Sequence, residues 1–420
     1  MLETSIFEEN LRAIVGPENL RAGTDADVVC GVLPQFVAEP KDEKQLAAAL
    51  AIANEAGIAV VPRGGATKLG WGNPPKKADL VLSTVHLNRI VEHVWADLTV
   101  TVEAGCTLKS LQKKLAQHGQ RLAFDGLWPE RATIGGVLST NDSGALRLRF
   151  GALRDLIIGV TIALPDGTLA SSGGKVVKNV AGYDLPKLVT GAFGTLGVTT
   201  RAVFRLHPLP RATKSFSFIG ENFPAMQQHI LSIQDSQLAH TSLQIRCGSC
   251  ELPVADILFE ATDAGLAAQE SQLRKLLGAA SVEHSAETVW NARQDLWKTP
   301  TNKTLLAKTS LLPTNIAKTL DSLKTIGDAR NVTWRLVLQA TGIGMLRLDA
   351  APPQLSAVIE QLRGELQSRG GSLVVLHRPA EPPSIDAWGD AGDSVPLMRA
   401  LKHQLDPKTT LNPGRFVGGI

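Results

Sequence analysis

The stretch RGGATKLGWG, residues 63–72, contains four glycines, two basic residues and no carboxylate. Glycine serves where φ must be positive or where another group approaches the backbone closely, so this stretch predicts a loop. The preceding KDEKQLAAALAIANEAG, residues 41–57, is acidic in its first turn and ends at a glycine, which indicates a helix. IAVVP, residues 58–62, predicts a strand. The glycine loop is therefore expected to follow directly on a strand.

Two further glycine clusters follow, ATIGGVLSTNDSG at 132–144 and GAFGTLG at 191–197. Consecutive backbone N–H groups turned inward form an anion-binding nest, and glycine permits the necessary torsions. A single cluster is explained as readily by a tight turn. Three clusters, with Ser, Thr and Asn among their residues, favour a long phosphate-bearing ligand.

Two common nucleotide-binding motifs are missing from the sequence. No GxGxxG follows a strand and opens a helix, with an acidic residue about 20 positions later, as a nicotinamide dinucleotide site requires. No GxxxxGK[ST] is present either, so a P-loop is not predicted. A flavin dinucleotide is the best remaining ligand.

Composition places the chain among soluble globular proteins. It has 420 residues, of which 44% are hydrophobic and 20% charged, and a net charge of +3. That length predicts two or three domains, and no block of like charges indicates nucleic-acid binding. The N-terminal MLETSIFEEN lacks the basic and apolar regions of a signal peptide, and no run of about 18 apolar residues exists. We therefore expect a cytoplasmic protein with no membrane span.

Four cysteines, Cys30, Cys106, Cys247 and Cys250, are expected to be reduced in that compartment. Cys247 and Cys250 form one CxxC, but no second pair of ligands lies nearby. Two ordinary thiols near a strand end are the favoured interpretation.

A domain boundary is predicted at the proline-bounded HPLPRAT, residues 207–213. Residues 1–210 are expected to form an α+β domain that carries the three glycine clusters. Residues 211–390, where longer strands alternate with helices such as LSAVIEQLRGELQSRG, are expected to form a smaller α+β domain. Residues 391–420 comprise a helix and a proline-punctuated loop.

Together these motifs resemble the vanillyl-alcohol-oxidase/PCMH superfamily of FAD enzymes, and within it the FAD-binding subunits of bacterial glycolate oxidases. The matching segments are VVPRGGATKLGWG, ATIGGVLSTNDSG, FGALRDLIIGVTIALPDGTL, VKNVAGYDLPKL, GAFGTLGVTTRAVFRLHP and LDPKTTLNPGRF. The resemblance implies a PCMH-type FAD-binding domain of two subdomains, a smaller cap domain, and a C-terminal segment that returns to the FAD domain.

The resemblance also implies which residues hold FAD. The first loop would wrap the pyrophosphate with backbone amides, and the second would surround the pyrophosphate and the ribityl chain. Val198 would lie beside the flavin or adenine, the NVAGYDL segment would pack near the flavin, and the C-terminal segment would bring a cation that can stabilise anionic reduced flavin. The residues implied are Arg63, Gly64, Gly65, Ala66, Thr67, Thr133, Gly135, Gly136, Asn141, Ser143, Gly144, Asn179, Tyr183, Asp184, Val198, Asn412 and Arg415.

Covalent attachment of the flavin is not expected. The tethered members of the superfamily have His or Cys at special positions, whereas the first loop here has Ala66, Thr67 and Lys68. Cys106, in EAGCTLK, is the one reactive group near the implied flavin region. The resemblance therefore implies non-covalent FAD.

One departure from the catalytic members concerns the chemistry. Similar FAD enzymes acting on 2-hydroxy acids carry a histidine-rich GH-x-GDGN-x-H type segment that binds a metal and helps remove the hydroxyl proton, and this sequence lacks it. The nearest candidate is VVLHRPAE, residues 374–381, in which Arg378 could clamp a substrate carboxylate beside His377. An ordinary strand histidine is the alternative. The other histidines show no metal-ligand spacing, so no metal is predicted.

Three functions remain open at this point. The chain could be a stand-alone flavin dehydrogenase for a 2-hydroxy acid such as D-lactate. It could instead be the FAD subunit of a glycolate-oxidase-type complex, in which a second FAD-binding subunit oxidises glycolate to glyoxylate and an iron–sulfur subunit takes the electrons. A redox-silent FAD-binding scaffold is the third. The missing histidine segment favours the complex, which partners could attach to the inner membrane.

Overall fold

A computed structural model describes residues 2–175, 184–278, 280–380 and 385–420. The chain divides into two compact units: Met1–Ser143 with Gly151–Leu209 and Asp390–Ile420, and Pro210–Gly389 with Gly144–Phe150. Both units combine helices and sheets, which confirms the predicted α+β class. None of the helices in the described part is long and apolar enough to cross a membrane.

The first sheet of the first unit has the strand order β1-β2-β4-β3, with β2, β4 and β3 parallel. Helices α1 and α2 pack on it through a core that includes Leu11, Leu46, Leu50, Leu80 and Leu82. Helix α2 begins where the Asp42 carboxylate accepts the amides of Lys44 and Gln45. The elements are α1 (Leu2–Val15), β1 (Leu20–Ala22), β2 (Phe36–Ala38), α2 (Glu43–Glu55), β3 (Val60–Arg63) and β4 (Leu80–Ser83).

The second sheet of the first unit is antiparallel, with the order β5-β6-β10-β8-β9, and a two-stranded ribbon joins β7 to β11. Its core contains Leu111, Leu115, Leu138, Leu153 and Phe204. The elements are β5 (Ile90–Val94), β6 (Thr99–Glu103), α3 (Leu108–Ala116), β7 (Gln120–Arg121), α4 (Ile134–Thr140), α6 (Leu153–Leu156), β8 (Ile157–Ala163), β9 (Leu169–Gly173), α7 (Leu185–Val189), β10 (Val198–Arg205), β11 (His207–Pro208) and α13 (Val395–Leu405).

The second unit is built on one eight-stranded antiparallel sheet with the order β15-β12-β14-β13-β17-β18-β16-β19. Alternate residues of these strands, such as Leu336 and Leu346, share a core with helix residues such as Leu320 and Leu362. The elements are α5 (Arg147–Phe150), β12 (Ala212–Ile219), α8 (Phe223–Gln234), β13 (His240–Gly248), β14 (Val254–Ala261), α9 (Asp263–Leu277), β15 (Val282–His284), α10 (Ala292–Asp295), β16 (Thr304–Ser310), α11 (Ile316–Arg330), β17 (Thr333–Gln339), β18 (Ile343–Asp349), α12 (Pro352–Gln367) and β19 (Ser372–His377).

Part of the second glycine cluster is helical rather than a loop. Thr133 has an extended backbone, and its hydroxyl accepts the amide of Gly136 at 3.4 Å, so it is the N-cap of α4. The helix ends at Asn141, whose φ of +45° is left-handed. Two adjacent glycines are unusual within a helix, and a close contact explains the first: a Cβ on Gly135 would lie 2.9 Å from that of Ala104.

The C-terminal segment runs beside β3. The amide of Val60 donates to the carbonyl of Thr410 at 2.8 Å, and the amide of Asn412 donates to the carbonyl of Val60 at 2.9 Å. These two bonds hold residues 410–412 next to the strand that leads into the first glycine loop. The last residues of the chain are thereby brought to that loop.

Candidate functional site

An open pocket of about 720 Å³ lies in the first unit, where the three glycine clusters meet the C-terminal segment. The lining residues are Pro62, Arg63, Gly64, Gly65, Ala66, Thr67, Lys68, Leu69, Thr84, Thr133, Gly135, Gly136, Ser139, Thr140, Phe193, Gly194, Gly197, Val198, Thr199, Asn412 and Arg415.

The first loop presents adjacent backbone donors to this pocket. In the described part of the chain, the amides of Gly64, Gly65, Ala66 and Thr67 donate to no other residue. Ala66 has a φ of +56°, a left-handed conformation of the kind that aims successive N–H groups at one point. Amides without a protein acceptor need water or a ligand. The loop is therefore suited to an anion such as a pyrophosphate.

The glycines of this loop are required by close packing. A Cβ on Gly64 would lie 2.0 Å from the hydroxyl of Thr133, and one on Gly65 would lie 1.7 Å from the carbonyl oxygen of Arg131. The first loop therefore touches the segment that leads into α4. This contact places the first two glycine clusters side by side along one wall of the pocket.

The side chain of Arg63 points to carboxylates rather than being available to a phosphate. Its guanidinium is 2.5 Å from Asp27 and 3.9 Å from Glu39. Hydrogen bonds from Arg21, then from Arg63 and Thr24, outweigh burial and hold the pKa of Asp27 well below its usual range. Arg63 thus reaches the pocket through its backbone, and Asp27 anchors the start of the loop.

Lys68 is a pocket residue that the sequence did not single out. Its buried ammonium lies 3.4 Å from the Asp142 carboxylate. The ammonium also lies 5.6 Å from the Trp71 ring centre and 5.3 Å from that of Trp128. Asp142 accepts the amide of Leu127 as well. These partners come from separate segments, so no local pattern in the sequence could have revealed the cluster.

The C-terminal segment brings an amide and a cation to the pocket. Asn412 donates through Nδ2 to the carbonyl of Phe193 at 2.6 Å, while its buried Oδ1 has no partner among the described residues. The Arg415 guanidinium donates to the carbonyls of Leu69 and Trp71 and lies 5.9 Å from the centre of the Phe193 ring. Burial lowers the pKa of Arg415, although arginine stays protonated in proteins. The unpartnered amide oxygen suits a ligand group that donates a hydrogen bond, and the buried cation suits negative charge on the same ligand.

The pocket contains most but not all of the residues implied for FAD. Asn141, Ser143 and Gly144 are not among its lining residues, because α4 ends at Asn141. Asp184 does not line it either: its carboxylate accepts the Lys187 amide at 3.1 Å and caps α7. Asn179 and Tyr183 lie outside the described residues. Ser139, Thr140, Phe193 and Gly194 line the pocket as members of the predicted glycine clusters, although they were not individually named, and Thr199 lines it without having been predicted.

His377 and Arg378, the predicted catalytic pair, lie at the end of β19 in the second unit. Burial, followed by the nearby charges of Arg347 and Arg378, lowers the pKa of His377. The Trp297 ring lies 6.3 Å from the His377 ring, centre to centre. A histidine with a lowered pKa is neutral at pH 7, which is the form that accepts a proton.

Cys106 is not a reactive thiol near the pocket. It is only 2% exposed, burial raises its pKa to about 11, and it does not line the pocket. Cys247 is likewise buried, and burial raises its pKa to about 11, whereas Cys250 is exposed. Within the described residues, no three His, Cys, Asp or Glu side chains are grouped as metal ligands.

Comparison with known proteins identifies the domain. Residues 34–173 match the family model described as "FAD binding domain". The chain is 27% identical to the glycolate oxidase subunit GlcD of Bacillus subtilis, over 98% of this chain and 97% of the relative. It is 26% identical to D-2-hydroxyglutarate dehydrogenase of Xanthomonas citri over 91% and 89%, and 37% identical to D-lactate dehydrogenase of Archaeoglobus fulgidus over 46% and 42%.

Solved structures identify the fold. A p-cresol methylhydroxylase matches with a TM-score of 0.77 at 15% identity, covering 99% of this chain and 97% of that one. The 4-ethylphenol oxidase of Gulosibacter chungangensis matches with a TM-score of 0.76 at 16% identity, over 99% and 97%. The predicted PCMH-type fold is confirmed.

The fold, the pocket and these matches define the class: this chain is an FAD-linked oxidoreductase, as its sequence predicted. It is similar over most of its length to glycolate oxidase subunit GlcD and to a D-2-hydroxyglutarate dehydrogenase. Its cofactor is FAD, and the residues of the pocket fit it. Four amides without protein acceptors suit the pyrophosphate, and the unpartnered Oδ1 of Asn412 suits a polar group of the ligand.

Proposed function

We propose that this chain binds FAD non-covalently in the pocket and takes part in the oxidation of a 2-hydroxy acid, glycolate to glyoxylate. The observation that carries the proposal is the cradle of four acceptor-free amides, Gly64 to Thr67, in the wall of that pocket. Similarity to a glycolate oxidase subunit over 98% of the chain supports the substrate class.

Each group of residues has a role in this proposal. FAD, when bound, supplies the acceptor for the two electrons that leave the hydroxy acid. The amides of Gly64–Thr67 would bind its pyrophosphate, and Arg415 would supply a positive charge that can stabilise anionic reduced flavin. If the chain itself oxidises the hydroxy acid, Arg378 in the second unit would hold the substrate carboxylate, and a ring nitrogen of His377 would take the hydroxyl proton.

We further propose that the chain works as a subunit. Its partners would be a second FAD-binding subunit and an iron–sulfur subunit that takes the electrons, and they would hold it at the inner membrane from the cytoplasmic side. The sequence lacks the histidine-rich segment of the catalytic members, which supports a complex in which the second FAD-binding subunit oxidises the substrate. Helix α13 offers a surface for a partner, because its Leu397 is 66% exposed and its Met398 and Leu401 line an open apolar pocket with Phe416 and Ile420.

A stand-alone dehydrogenase for a D-lactate-like 2-hydroxy acid is the second candidate. Similarity to D-2-hydroxyglutarate dehydrogenase over 91% of the chain favours it, as does the lowered pKa of His377. A redox-silent FAD-binding subunit is the third candidate, and the missing histidine-rich segment is its support.

The decisive experiment uses the purified chain alone. Its visible absorption spectrum is recorded after reconstitution with FAD, and glycolate or D-lactate is then added without oxygen. Flavin bands that persist after gel filtration are expected. Bleaching by either acid would establish the stand-alone enzyme.

Flavin that neither acid reduces is the result expected of a subunit. The proposed complex then predicts that addition of the second FAD-binding subunit restores bleaching by glycolate. A flavin that stays oxidised even in the assembled complex during turnover would establish the redox-silent role. No flavin bands after reconstitution would reject FAD binding in the pocket.

A further inference from the structure

Helix α13 buries a charged residue and leaves its apolar residues more exposed. Of its eleven residues, all of which the structure describes, only Lys402 is buried, whereas Leu397 and the half-buried Met398 and Leu401 reach the surface. Amphipathic helices ordinarily show the opposite arrangement. The inward-facing lysine therefore requires an explanation other than solubility.

The ammonium group of Lys402 has a partner for each of its three protons. It donates to Asp406 Oδ2 at 2.5 Å, to the carbonyl of Thr195 at 2.8 Å and to the carbonyl of Leu411 at 2.8 Å. Asp406, which is fully buried, also accepts the amide and hydroxyl of Thr410, each at 3.0 Å, and the amide of Leu411 at 2.8 Å. The pair is thus fully hydrogen-bonded inside the unit.

A buried ion pair is a poor way to gain stability. Removing two charges from water costs much of what their attraction returns, and apolar replacements of similar volume are often as stable. Burial accordingly lowers the pKa of Lys402, although Asp406 opposes the shift. Such a pair can instead fix the relative positions of the segments that it joins, because each hydrogen bond holds one group of one segment.

The three segments that the pair joins are α13, the third glycine cluster and the C-terminal segment. The last two line the pocket, through Phe193 and Gly194 and through Asn412 and Arg415. Leu411, whose carbonyl Lys402 holds, is adjacent to Asn412. Neither Lys402 nor Asp406 lines the pocket.

We propose that Lys402 and Asp406 are a positioning pair for the FAD site. By holding the carbonyls of Thr195 and Leu411 on one ammonium group, the pair sets the place of Asn412 and Arg415 against the Phe193 segment. The inference rests on the proposed role of Asn412 and Arg415 at the flavin. In this proposal, α13 links the surface of the first unit to the segments that line the pocket.

The test compares variants of the full-length protein loaded with FAD. Lys402→Met alone leaves the Asp406 charge buried and is expected to unfold readily. The double variant Lys402→Met/Asp406→Asn removes both charges at nearly constant volume. The Tm of the double variant is expected to lie within a few degrees of the wild-type Tm. Its affinity for FAD is nevertheless expected to be at least tenfold lower, and its flavin midpoint potential is expected to be shifted. Lys408→Met, which removes an exposed lysine bonded to the carbonyls of Asn54 and Glu55, is the matched control and is expected to change neither.

Wild-type FAD affinity and potential in the double variant would overturn the inference and leave the pair a structural feature. If the double variant does not fold, Lys402→Arg takes its place, since arginine keeps the charge but cannot reproduce three bonds from one nitrogen. Wild-type affinity and potential in that variant would overturn the inference equally. Neither the FAD affinity nor the potential needs a substrate, so a chain that binds FAD but oxidises neither acid, alone or in the assembled complex, would refute the proposed function without affecting this inference.

Discussion

Gly65 and Gly70 lie in the same loop but differ in their surroundings. A Cβ on Gly65 would lie 1.7 Å from the carbonyl oxygen of Arg131, whereas one on Gly70 would meet nothing within 4 Å. Because backbone on both sides must move, Gly65→Ala is expected to lower the free energy of unfolding by about 2–3 kcal/mol and to weaken FAD binding. Thermal unfolding and a fluorescence titration with FAD measure the two effects.

Gly70→Ala is the matched control, and its stability should lie within about 0.5 kcal/mol of the wild type. If the two variants bound FAD equally well, the close approach of the first loop to residues 131–133 would not shape the pocket.

Cysteine reactivity gives a second prediction at this scale. Cys106 and Cys247 are buried, and burial raises the pKa of each to about 11, so few of their thiols are ionised near pH 8. Iodoacetamide at pH 8 is expected to label exposed Cys250 in the native protein and to label Cys106 and Cys247 only after unfolding. Peptide mass spectrometry measures the labelling. Native labelling of Cys106 at the rate of Cys250 would contradict the burial seen here.

His377 gives a prediction about pH. Its pKa is lowered, so the neutral, proton-accepting form persists below the ordinary histidine value of about 6.5. If His377 is the base, kcat/KM for the hydroxy acid falls only at a pH below that value. His377→Gln is expected to remove this acid limb and to lower kcat by about 10²-fold or more, with FAD binding unchanged.

The matched control for His377 is His240→Gln, since burial lowers the pKa of His240 in the same unit. This variant should keep the acid limb. Loss of the limb in both variants, or in neither, would exclude His377 as the base.

Individual residues show where a sequence is informative. The glycines at 64, 65, 135 and 136 are visible as clusters, and they do line the pocket. Lys68 was not among the predicted site residues, and its partner Asp142 is far away in the chain. Asp184 lies inside a recognisable motif, but its carboxylate caps α7. A motif therefore predicts which segment belongs to a site more reliably than it predicts the role of each side chain in that segment.

Among the elements, the junction of β1 and β3 depends on one carboxylate. Asp27 is buried and binds both Arg21 and Arg63, and these hydrogen bonds keep its pKa well below the unfolded value near 4. A depressed pKa contributes stability that is present above the unfolded pKa and is lost as the pH falls through the folded one. Asp27→Asn is therefore expected to lower the free energy of unfolding by about 3 kcal/mol at pH 7.

The difference between wild type and Asp27→Asn should stay constant between about pH 5 and 8 and shrink below about pH 4. Denaturant unfolding at a series of pH values measures it. Exposed Asp25, two residues away, supplies the control: Asp25→Asn should have a small effect at every pH. A difference for Asp27→Asn that grew on acidification would contradict the assigned direction of the pKa.

Regular elements were predictable where the pattern was strong. Helix α2, with its capping Asp42, and strand β10, with its alternating burial, follow from local sequence. Strand β5 has no clear pattern in the sequence, because four of its five residues are half-buried and its register shifts between Ile90 and Glu92. Helix α4 was missed because glycine pairs argue for a loop, and its close contact with Ala104 becomes visible only in three dimensions.

At the scale of the whole molecule, the pocket is assembled from distant parts of the chain. Three glycine clusters are visible in the sequence and favour one shared ligand, but only the resemblance to a family implied that the C-terminal segment joins them. Hydrogen bonds such as those between Val60 and residues 410 and 412 hold the C-terminal segment beside the first glycine loop. Contacts between residues so far apart in sequence leave no periodic trace.

This assembly leads to a last prediction, about the response of the molecule to FAD. A ligand that binds only the folded state stabilises it by about 2.7 kcal/mol at a hundredfold excess over its Kd. All the lining residues belong to the first unit, so that stabilisation should appear there. Hydrogen exchange followed by mass spectrometry should show protection by FAD in four separate segments, 62–69, 133–140, 193–199 and 412–415. Strands β13 and β17 of the second unit should exchange at unchanged rates, and protection confined to one of the four segments would mean that they do not form one site.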